Sequence, residues 1–230
     1  MKSFADIIKA IFIKDLLSEF RTKQVLPAMI MLGILIAWIF RIAAESAEIS
    51  VPAIASAALL AAILFSAILV CEKNFASEHE NDCLAALILA SADTGDIYLA
   101  KLIVNVTILC IFELVAVPAV LVLFKINVGL NWPRLIIALL LITIGISSVG
   151  TLLACAVQGT KTANSLLGVL VMAVLSPMMI PAVSALLSLF SRPDTAFDFN
   201  RGLGLLLAFD AIFVTVCWLL FDFVAAEQEN

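Results

Sequence analysis

The sequence predicts an all-α integral membrane protein with six transmembrane helices, and its composition is the first reason. Of the 230 residues, 64% are hydrophobic and 13% are charged, whereas soluble domains contain roughly 45–50% apolar and about 25% charged residues. The mean hydropathy is +1.19, so one soluble core could not bury all of this apolar surface. We therefore expect the lipid bilayer to surround most of the chain.

Six apolar runs of sufficient length are the second reason. A helix needs about 20 predominantly apolar residues to cross a hydrocarbon layer roughly 30 Å thick. We treat residues 1–230 as a single transmembrane domain. The predicted spans are residues 25–43, 51–71, 102–124, 135–157, 165–190 and 203–225.

The distribution of Lys and Arg predicts the topology, because these residues are enriched in cytoplasmic loops. The segments 1–23, 72–101 and 158–164 carry eight of them, which are Lys2, Lys9, Lys14, Arg21, Lys23, Lys73, Lys101 and Lys161. The other three loops, with the span ends included, carry Arg41, Lys125, Arg134, Arg192 and Arg201. This bias places both termini in the cytoplasm. The net charge of -5 would argue against a nucleic-acid partner in a soluble protein, but in a membrane protein the Lys and Arg beside the spans are the informative charges; we expect no nucleic-acid partner.

The first 23 residues predict an amphipathic helix that lies along the cytoplasmic membrane surface. Polar residues, among them Asp15, Glu19 and Arg21, fall between the apolar positions, so the helix should lie in the interface rather than cross the membrane. Its polar face could also receive a partner, or the helix could serve only as an anchor. Apolar residues recur at intervals of three or four at Phe4, Ile8, Ile11, Phe12, Leu16 and Phe20.

A segment of about thirty residues, 72–101, separates the second and third spans. It opens with the polar stretch "EKNFASEHEND" and continues into a short amphipathic helix in which Leu84 and Leu87 share one face. The turn sequence "SADTG" follows, and a helix restarts at residue 97. Since far fewer residues can join two helices, the length suggests a cytoplasmic docking element. A solvated connector is the alternative.

Two carboxyl side chains fall deep within the predicted spans. Glu113 lies about eleven residues, or roughly 16 Å, into the third span, and Asp210 lies within the sixth. Ionisable groups at such depth are costly and usually face protein or water. Glu113 could act as a gating or substrate-path carboxylate, or it could hydrogen-bond to a neighbouring helix. Asp222 lies near the end of its span, and we expect it to reach water.

The fourth and fifth spans carry different packing signals. Small residues in the middle of the fourth span predict a close helix-packing face. The fifth run contains Pro177 and Pro181. Because proline removes a helical N–H and clashes with the preceding turn, we expect the helix to end near Pro177. A re-entrant or interfacial segment would then lie between the fifth and sixth spans. The small residues of the fourth span are Gly145, Ser147, Ser148, Gly150 and Thr151.

The chain offers little for catalysis or metal binding. Its single histidine, His79, lies among carboxylates, and the five cysteines show no C-x-x-C spacing. We therefore expect no metal site and no disulfide framework. The sequence "QGTKT" at 158–162 lacks the glycines of a phosphate-binding loop. We expect a non-catalytic chain whose energy comes from a separate ATPase or an ion gradient.

Several short motifs resemble one family of membrane proteins. They are "FIKDLLSEFR" at 12–21, "EKNF" at 72–75 followed by "CLAALILAS", "IYLAK" at 97–101, and "GTKTANSLLGVLVMAVLSPMMIP" at 159–181. With the six spans and the N-terminal interfacial helix, they resemble the ABC-2 type exporter permeases and, within that class, the haem exporter protein B family (CcmB). The resemblance covers nearly the whole chain. Where family members often have Gly-Ser and Ser-Pro around the short helix, this sequence has Asp82, Cys83, Ser91 and Ala92.

The resemblance implies a permease subunit of the bacterial inner membrane that acts in the maturation of c-type cytochromes. ATP would be bound by a cytoplasmic ABC ATPase subunit and haem by partner proteins, so this chain would hold no cofactor itself. The implied ATPase-coupling residues are Glu72, Phe75, Glu78, Leu84 and Leu87. The implied partners are the ATPase, a haem-handling membrane subunit, a small accessory membrane protein, a periplasmic haem chaperone and a second copy of this chain.

Three other functions remain open at this point. The chain could be an ABC-2 permease for another cargo, such as a lipid, a polysaccharide or a drug. It could instead be a non-transporting subunit that couples ATP hydrolysis to release of the haem-loaded chaperone. An ion-driven carrier that uses Glu113 and Asp210 is the third possibility.

Overall fold

Six long α-helices form the bundle in the computed structural model. The structure describes residues 12–14, 16–17, 24–46, 50–79, 94–157, 163–191 and 199–227. The helices are α1 (Val25–Ser46), α2 (Val51–His79), α3 (Thr94–Phe124), α4 (Trp132–Val157), α5 (Ala163–Phe190) and α6 (Phe199–Glu227), and a short 3-10 helix (Gly129–Asn131) precedes α4.

All six helices are long and apolar enough to cross a membrane, which confirms the predicted fold class. The chain is therefore a multi-pass membrane protein. The membrane-crossing stretches are Val25–Glu45, Val51–Lys73, Gly95–Phe124, Gly129–Val157, Leu166–Phe190 and Phe199–Val224. Several of these exceed the roughly 20 residues that one crossing needs, so the helices must tilt or extend into the headgroup layer.

Helix α4 lies at the centre of the bundle. It packs against α2, α3, α5 and α6, and most of its residues are buried. Helix α2 is equally well covered, whereas α1 and α6 expose most of their spanning residues. Apolar side chains such as Met31 on α1 and Phe223 on α6 form this exposed surface. Lipid or other membrane proteins can cover such a surface, because hydrocarbon is as apolar as the side chains themselves.

Helices α3 and α4 form an antiparallel hairpin around a short turn. Helix α3 ends in a Schellman motif, in which the N–H of Ile126 donates to the carbonyl of Leu121 over 2.9 Å and Lys125 takes the left-handed conformation, with φ of 54°. Gly129 then adopts φ of 57°, a conformation that glycine reaches without steric cost. On α1, the Arg41 Nε donates to the Leu123 carbonyl at 3.1 Å and so caps the last turn of α3.

Helix α5 is continuous through both of its prolines, so the expected helix end near Pro177 is wrong. Residues assigned to a re-entrant segment after Pro177 belong to the same helix, which runs to Phe190. The reason is local hydrogen bonding. Pro177 cannot donate to the carbonyl of Ala173, and the hydroxyl of Ser176 donates to that carbonyl instead, over 2.9 Å. Transmembrane helices tolerate proline where neighbouring groups satisfy the carbonyl in this way.

Helix α2 ends later, and helix α3 begins earlier, than the sequence predicted. Helix α2 continues to His79, and α3 already begins at Thr94. Residues 80–93, with the predicted short amphipathic helix, lie outside the described residues. Lys101, which was counted among the cations of segment 72–101 and placed in the helix that restarts at residue 97, lies in α3 and is buried. We call the end of the bundle that carries residues 80–93 the 80–93 end.

The N-terminal segment is described only in part. Residues 12–14 and 16–17 are helical, and Phe12 and Leu16 pack against the core of the bundle. Ile13 and Leu17 are exposed. This arrangement agrees with the predicted amphipathic helix over the few residues that can be compared.

Candidate functional site

A buried polar cluster lies between α2, α3 and α4 near the 80–93 end. The side-chain amide of Asn105 donates to the Thr151 hydroxyl over 2.9 Å and lies 3.5 Å from the Cys71 sulfur. Thr151 in turn donates to the carbonyl of Ser147 at 2.7 Å. All of these side chains are buried. Hydrogen bonds are electrostatically stronger in such a low-dielectric interior than in water, so the cluster holds the three helices in one register.

Tyr98 extends this cluster toward α6. Its hydroxyl donates to the carbonyl of Ser148 over 3.3 Å, and its ring lies 5.4 Å from the ring of Phe221. One turn before it, Gly95 lies so close to Trp218 that an added Cβ would stand 2.5 Å from the indole nitrogen. The first turns of α3 therefore contact both α4 and α6.

Small residues allow α2 and α4 to approach closely at the same level. A Cβ at Gly150 would lie 2.8 Å from the Cys71 sulfur. This contact agrees with the predicted packing face of the fourth span, since Gly145, Ser147, Ser148, Gly150 and Thr151 are all buried. The described cysteines 71, 110, 155 and 217 are thiols that form no disulfide with one another.

Glu113 makes an interhelical hydrogen bond near the middle of the membrane. The Thr143 hydroxyl on α4 donates to its Oε1 oxygen, and the Glu113 side chain is 7% exposed. Of the two roles considered for Glu113, this geometry favours a hydrogen bond to a neighbouring helix. Among the described residues, the carboxyl has no second hydrogen-bond partner.

Asp210 lies at the junction of α4, α5 and α6. It is 6% exposed, and neither of its oxygens has a hydrogen-bond partner among the described residues. Its Oδ1 oxygen occupies the space beside Gly145, where Met178 of α5 also lies. A buried polar group without a partner costs about 1–3 kcal/mol, so the burial of Asp210 lowers the stability of the fold. Asp222, which is on the same helix α6, is exposed.

The carboxyl groups of Glu113, on α3, and Asp210, on α6, lie at similar depth in the membrane. They lie against different faces of α4. Glu113 and Thr143 are each about eleven residues, or roughly 16 Å, from the turn that joins α3 to α4. Asp210 is about eleven residues into α6, beside Gly145. Residues 143 and 145 point about 200° apart around a helix. A layer of polar atoms therefore crosses the bundle near the bilayer centre.

A cavity opens on the lipid-facing side of the hairpin formed by α3 and α4. Its volume is about 430 Å³. Apolar side chains form most of its wall, and Glu113 and Cys110 are among the polar residues that line it. Trp132, at the start of α4, lies at one end. The lining thus extends from Trp132, at the start of α4, past the depth of Glu113 to Thr107.

The predicted site residues fall in separate regions. Glu72 is half-buried near the end of α2, and Phe75 and Glu78 follow on the same helix. Glu113 and Asp210 lie in the central layer of polar atoms. They approach α4 from different sides, beside Thr143 and Gly145 respectively. Outside the described residues are Asp15, Glu19, Arg21, Leu84 and Leu87.

Three buried polar residues near the 80–93 end were missed by the sequence reasoning. Tyr98, Lys101 and Asn105 are spaced by three and four, which places them on one face of α3. Lys101 was counted as a loop cation, and Asn105 was treated as part of an apolar run. Their helical spacing was the available signal.

The comparison with known families covers nearly the whole chain. A family model described as CcmB protein matches residues 6–228. No curated protein matches the chain.

Proposed function

The chain belongs to the CcmB protein family, and from this we propose that it is the membrane permease subunit of a haem-exporter-type ABC transporter that acts in the maturation of c-type cytochromes. The family match over residues 6–228, on a chain with six membrane-spanning helices, is the observation that carries the proposal. ATP hydrolysis belongs to a separate subunit, so this chain is not an enzyme.

The segment between α2 and α3 is the docking site for that ATPase subunit in our proposal. It joins the end of α2 at His79 to the start of α3 at Thr94. We assign the coupling to the ATPase to Glu72, Phe75, Glu78, Leu84 and Leu87, the residues that the family resemblance implies. This arrangement requires the 80–93 end to be cytoplasmic, as the Lys and Arg distribution predicts.

The polar cluster near the 80–93 end would transmit the movement of the docked segment. Any displacement of the start of α3 acts on Asn105 and Tyr98, whose partners Thr151 and Ser148 lie on α4. Helix α4 packs against α6. Packed elements joined by hydrogen bonds move together rather than deform continuously. Closure of the ATPase would thereby reach the central layer that contains Glu113 and Asp210.

We place haem binding in partner subunits. Trp38, Trp132 and Trp218 stand on three different helices, α1, α4 and α6, and do not form a tryptophan-rich haem site. The chain would therefore transmit force or move haem without ligating it. The proposed assembly contains the ATPase, a haem-handling membrane subunit, a small accessory membrane protein and a second copy of this chain. It sits in the bacterial inner membrane and releases a periplasmic haem chaperone.

Deletion of the gene tests the proposal directly. We expect the deletion strain to lose covalently bound haem on its c-type cytochromes, measured by haem staining of membrane and periplasmic fractions. The full-length chain supplied from a plasmid should restore the staining. Normal cytochrome c in the deletion strain would contradict the proposal and favour an ABC-2 permease for another cargo.

A further inference from the structure

The cavity between α3 and α4 opens sideways toward the lipid. Leu114, which is 76% exposed, and Ile136 stand at its rim. The side chains that line it come from α3, between Thr107 and Pro118, and from α4, between Trp132 and Leu140. A molecule dissolved in the bilayer can thus enter without crossing the polar membrane surface.

One polar group is built into the wall of this apolar cavity. Glu113 lines it, and Thr143 from the far side of the hairpin fixes one oxygen of the carboxyl. The carboxyl shows no second partner among the described residues. Polar groups at this depth are costly unless they are paired. A ligand oxygen or hydroxyl at this position would supply the missing partner.

The size of the cavity, about 430 Å³, is that of a small-molecule site. Small-molecule sites in proteins measure roughly 300–1,000 Å³ and combine an apolar wall with a few polar groups. This cavity has both properties.

We propose that the cavity binds a neutral, lipid-soluble molecule that has an apolar chain and one oxygen group, either a hydroxyl that donates a hydrogen bond to the Glu113 carboxyl or a carbonyl that accepts one from the protonated carboxyl. The apolar chain lies along α3 and α4 toward Trp132. A charged group beside Glu113 would be costly, since Glu113 lies about 16 Å from the nearest turn of the bundle. This inference does not depend on the cargo or on the proposed ATPase.

Photoaffinity labelling of the full chain in native membranes tests the inference. Three probes of equal chain length are compared, which are a photoactivatable isoprenoid quinone, a photoactivatable long-chain alcohol and a photoactivatable alkane. We expect one or both of the oxygen-bearing probes to label residues 107–118 and 132–140 about fivefold more than the alkane, the effect of one hydrogen bond. The stronger of the two identifies the ligand as a carbonyl or a hydroxyl compound.

Three variants separate the cavity from the general lipid-facing surface. Cys110→Phe places a ring in the cavity and should abolish the labelling. Glu113→Leu removes the hydrogen-bonding group and should lower it about fivefold. Val122→Phe, at a residue of α3 that is 78% exposed and outside the cavity lining, should leave it unchanged.

Two results would overturn the inference. In the first, the alkane labels these residues as strongly as the oxygen-bearing probes. In the second, the label on the wild-type chain spreads evenly over the exposed face of α3 that includes Val122. Both are measured on the wild-type chain, so the test does not depend on whether Cys110→Phe folds.

Discussion

The Asn105 amide donates to the Thr151 hydroxyl over 2.9 Å and so ties α3 to α4 within the membrane. The Thr151 hydroxyl in turn donates to the Ser147 carbonyl at 2.7 Å. The Asn105 amide also contacts Cys71 of α2. Three helices thus share one buried polar cluster. The cluster lies toward the ends of α2 and α3 at His79 and Thr94.

Replacing Thr151 tests the contribution of this cluster to stability. Thr151→Val removes the acceptor for Asn105 and should lower the free energy of unfolding by about 1 kcal/mol, a typical value for a hydrogen bond between helices in a membrane. Thr215→Val is the matched control, because that exposed hydroxyl also donates to its own helix at 2.7 Å, to the Ala211 carbonyl. The free energy of unfolding of both variants is measured at a series of denaturing detergent concentrations. Equal losses in the two variants would show that the contact to Asn105 contributes nothing.

The predicted amphipathic helix in the docking segment is tested by changing its apolar face. The double change Leu84→Asp and Leu87→Asp should abolish stimulation of the partner ATPase while leaving membrane insertion intact. The measurement is ATP hydrolysis by the purified ATPase subunit after the purified chain is added to it. Leu130→Asp, at an exposed position in the turn between α3 and α4, should leave the stimulation unchanged. Wild-type stimulation in the double variant would refute the coupling role.

Hydropathy located all six spans because lipid requires long apolar helices, and this requirement is visible in any window of about 20 residues. The ends of the spans were less predictable. The second apolar run ends at Cys71, yet α2 continues to His79. The polar stretch "EKNFASEH" contains no glycine or proline, so nothing in it stops a helix that has already formed.

A double-mutant cycle measures the hydrogen bond between Glu113 and Thr143. Glu113→Leu and Thr143→Val should each destabilise the protein, and the double variant should lose less than the sum of the two. We expect a coupling energy of about 1 kcal/mol, obtained from detergent unfolding.

Glu113→Gln should keep the hydrogen bond, because an amide oxygen also accepts from Thr143. We expect cytochrome c yields near those of the wild type for Gln and reduced yields for Leu. Loss of function with both substitutions would mean that the ionised carboxylate is needed and would contradict a purely hydrogen-bonding role.

The buried Asp210 carboxyl should lower the free energy of unfolding, and we expect it to be needed for function. Asp210→Ala removes a buried carboxyl that lacks a partner, so the free energy of unfolding should rise by about 1 kcal/mol or more. We expect the cytochrome c yield to fall at the same time, since destabilising polar groups are usually retained for function. Asp222→Ala, at an exposed position of the same helix, should change stability by less than about 0.5 kcal/mol. A fall in stability at Asp210→Ala would contradict this account.

Gly145 lies at a close contact between α4 and the α5–α6 pair. A Cβ there would overlap the Asp210 carboxyl and lie 2.6 Å from the Met178 Cε, and both side chains are buried. Gly145→Ala should therefore destabilise the protein by about 1–3 kcal/mol. Gly204→Ala, where nothing lies within 4 Å of the added atom, should be neutral or stabilise by up to about 1 kcal/mol. Similar unfolding energies for the two variants would argue against close packing at residue 145.

Other errors of the sequence reasoning have local physical causes. The two prolines of α5 were read as a helix end because a sequence window does not show that the Ser176 hydroxyl satisfies the Ala173 carbonyl. The buried face formed by Tyr98, Lys101 and Asn105 was missed because its polar residues were divided between a loop and a span. Asp210 was recognised from its depth in the sixth span, but its lack of a partner depends on packing among three helices.

Purification of this chain from its native membrane in mild detergent, with identification of the proteins that accompany it, tests the central claim most directly. We predict that an ABC ATPase subunit and a haem-handling membrane protein copurify with the wild-type chain, and that Leu84→Asp with Leu87→Asp loses the ATPase. Copurification of an ATPase without a haem-handling protein would point to another exported cargo. Isolation of the wild-type chain without any ATPase would contradict the account.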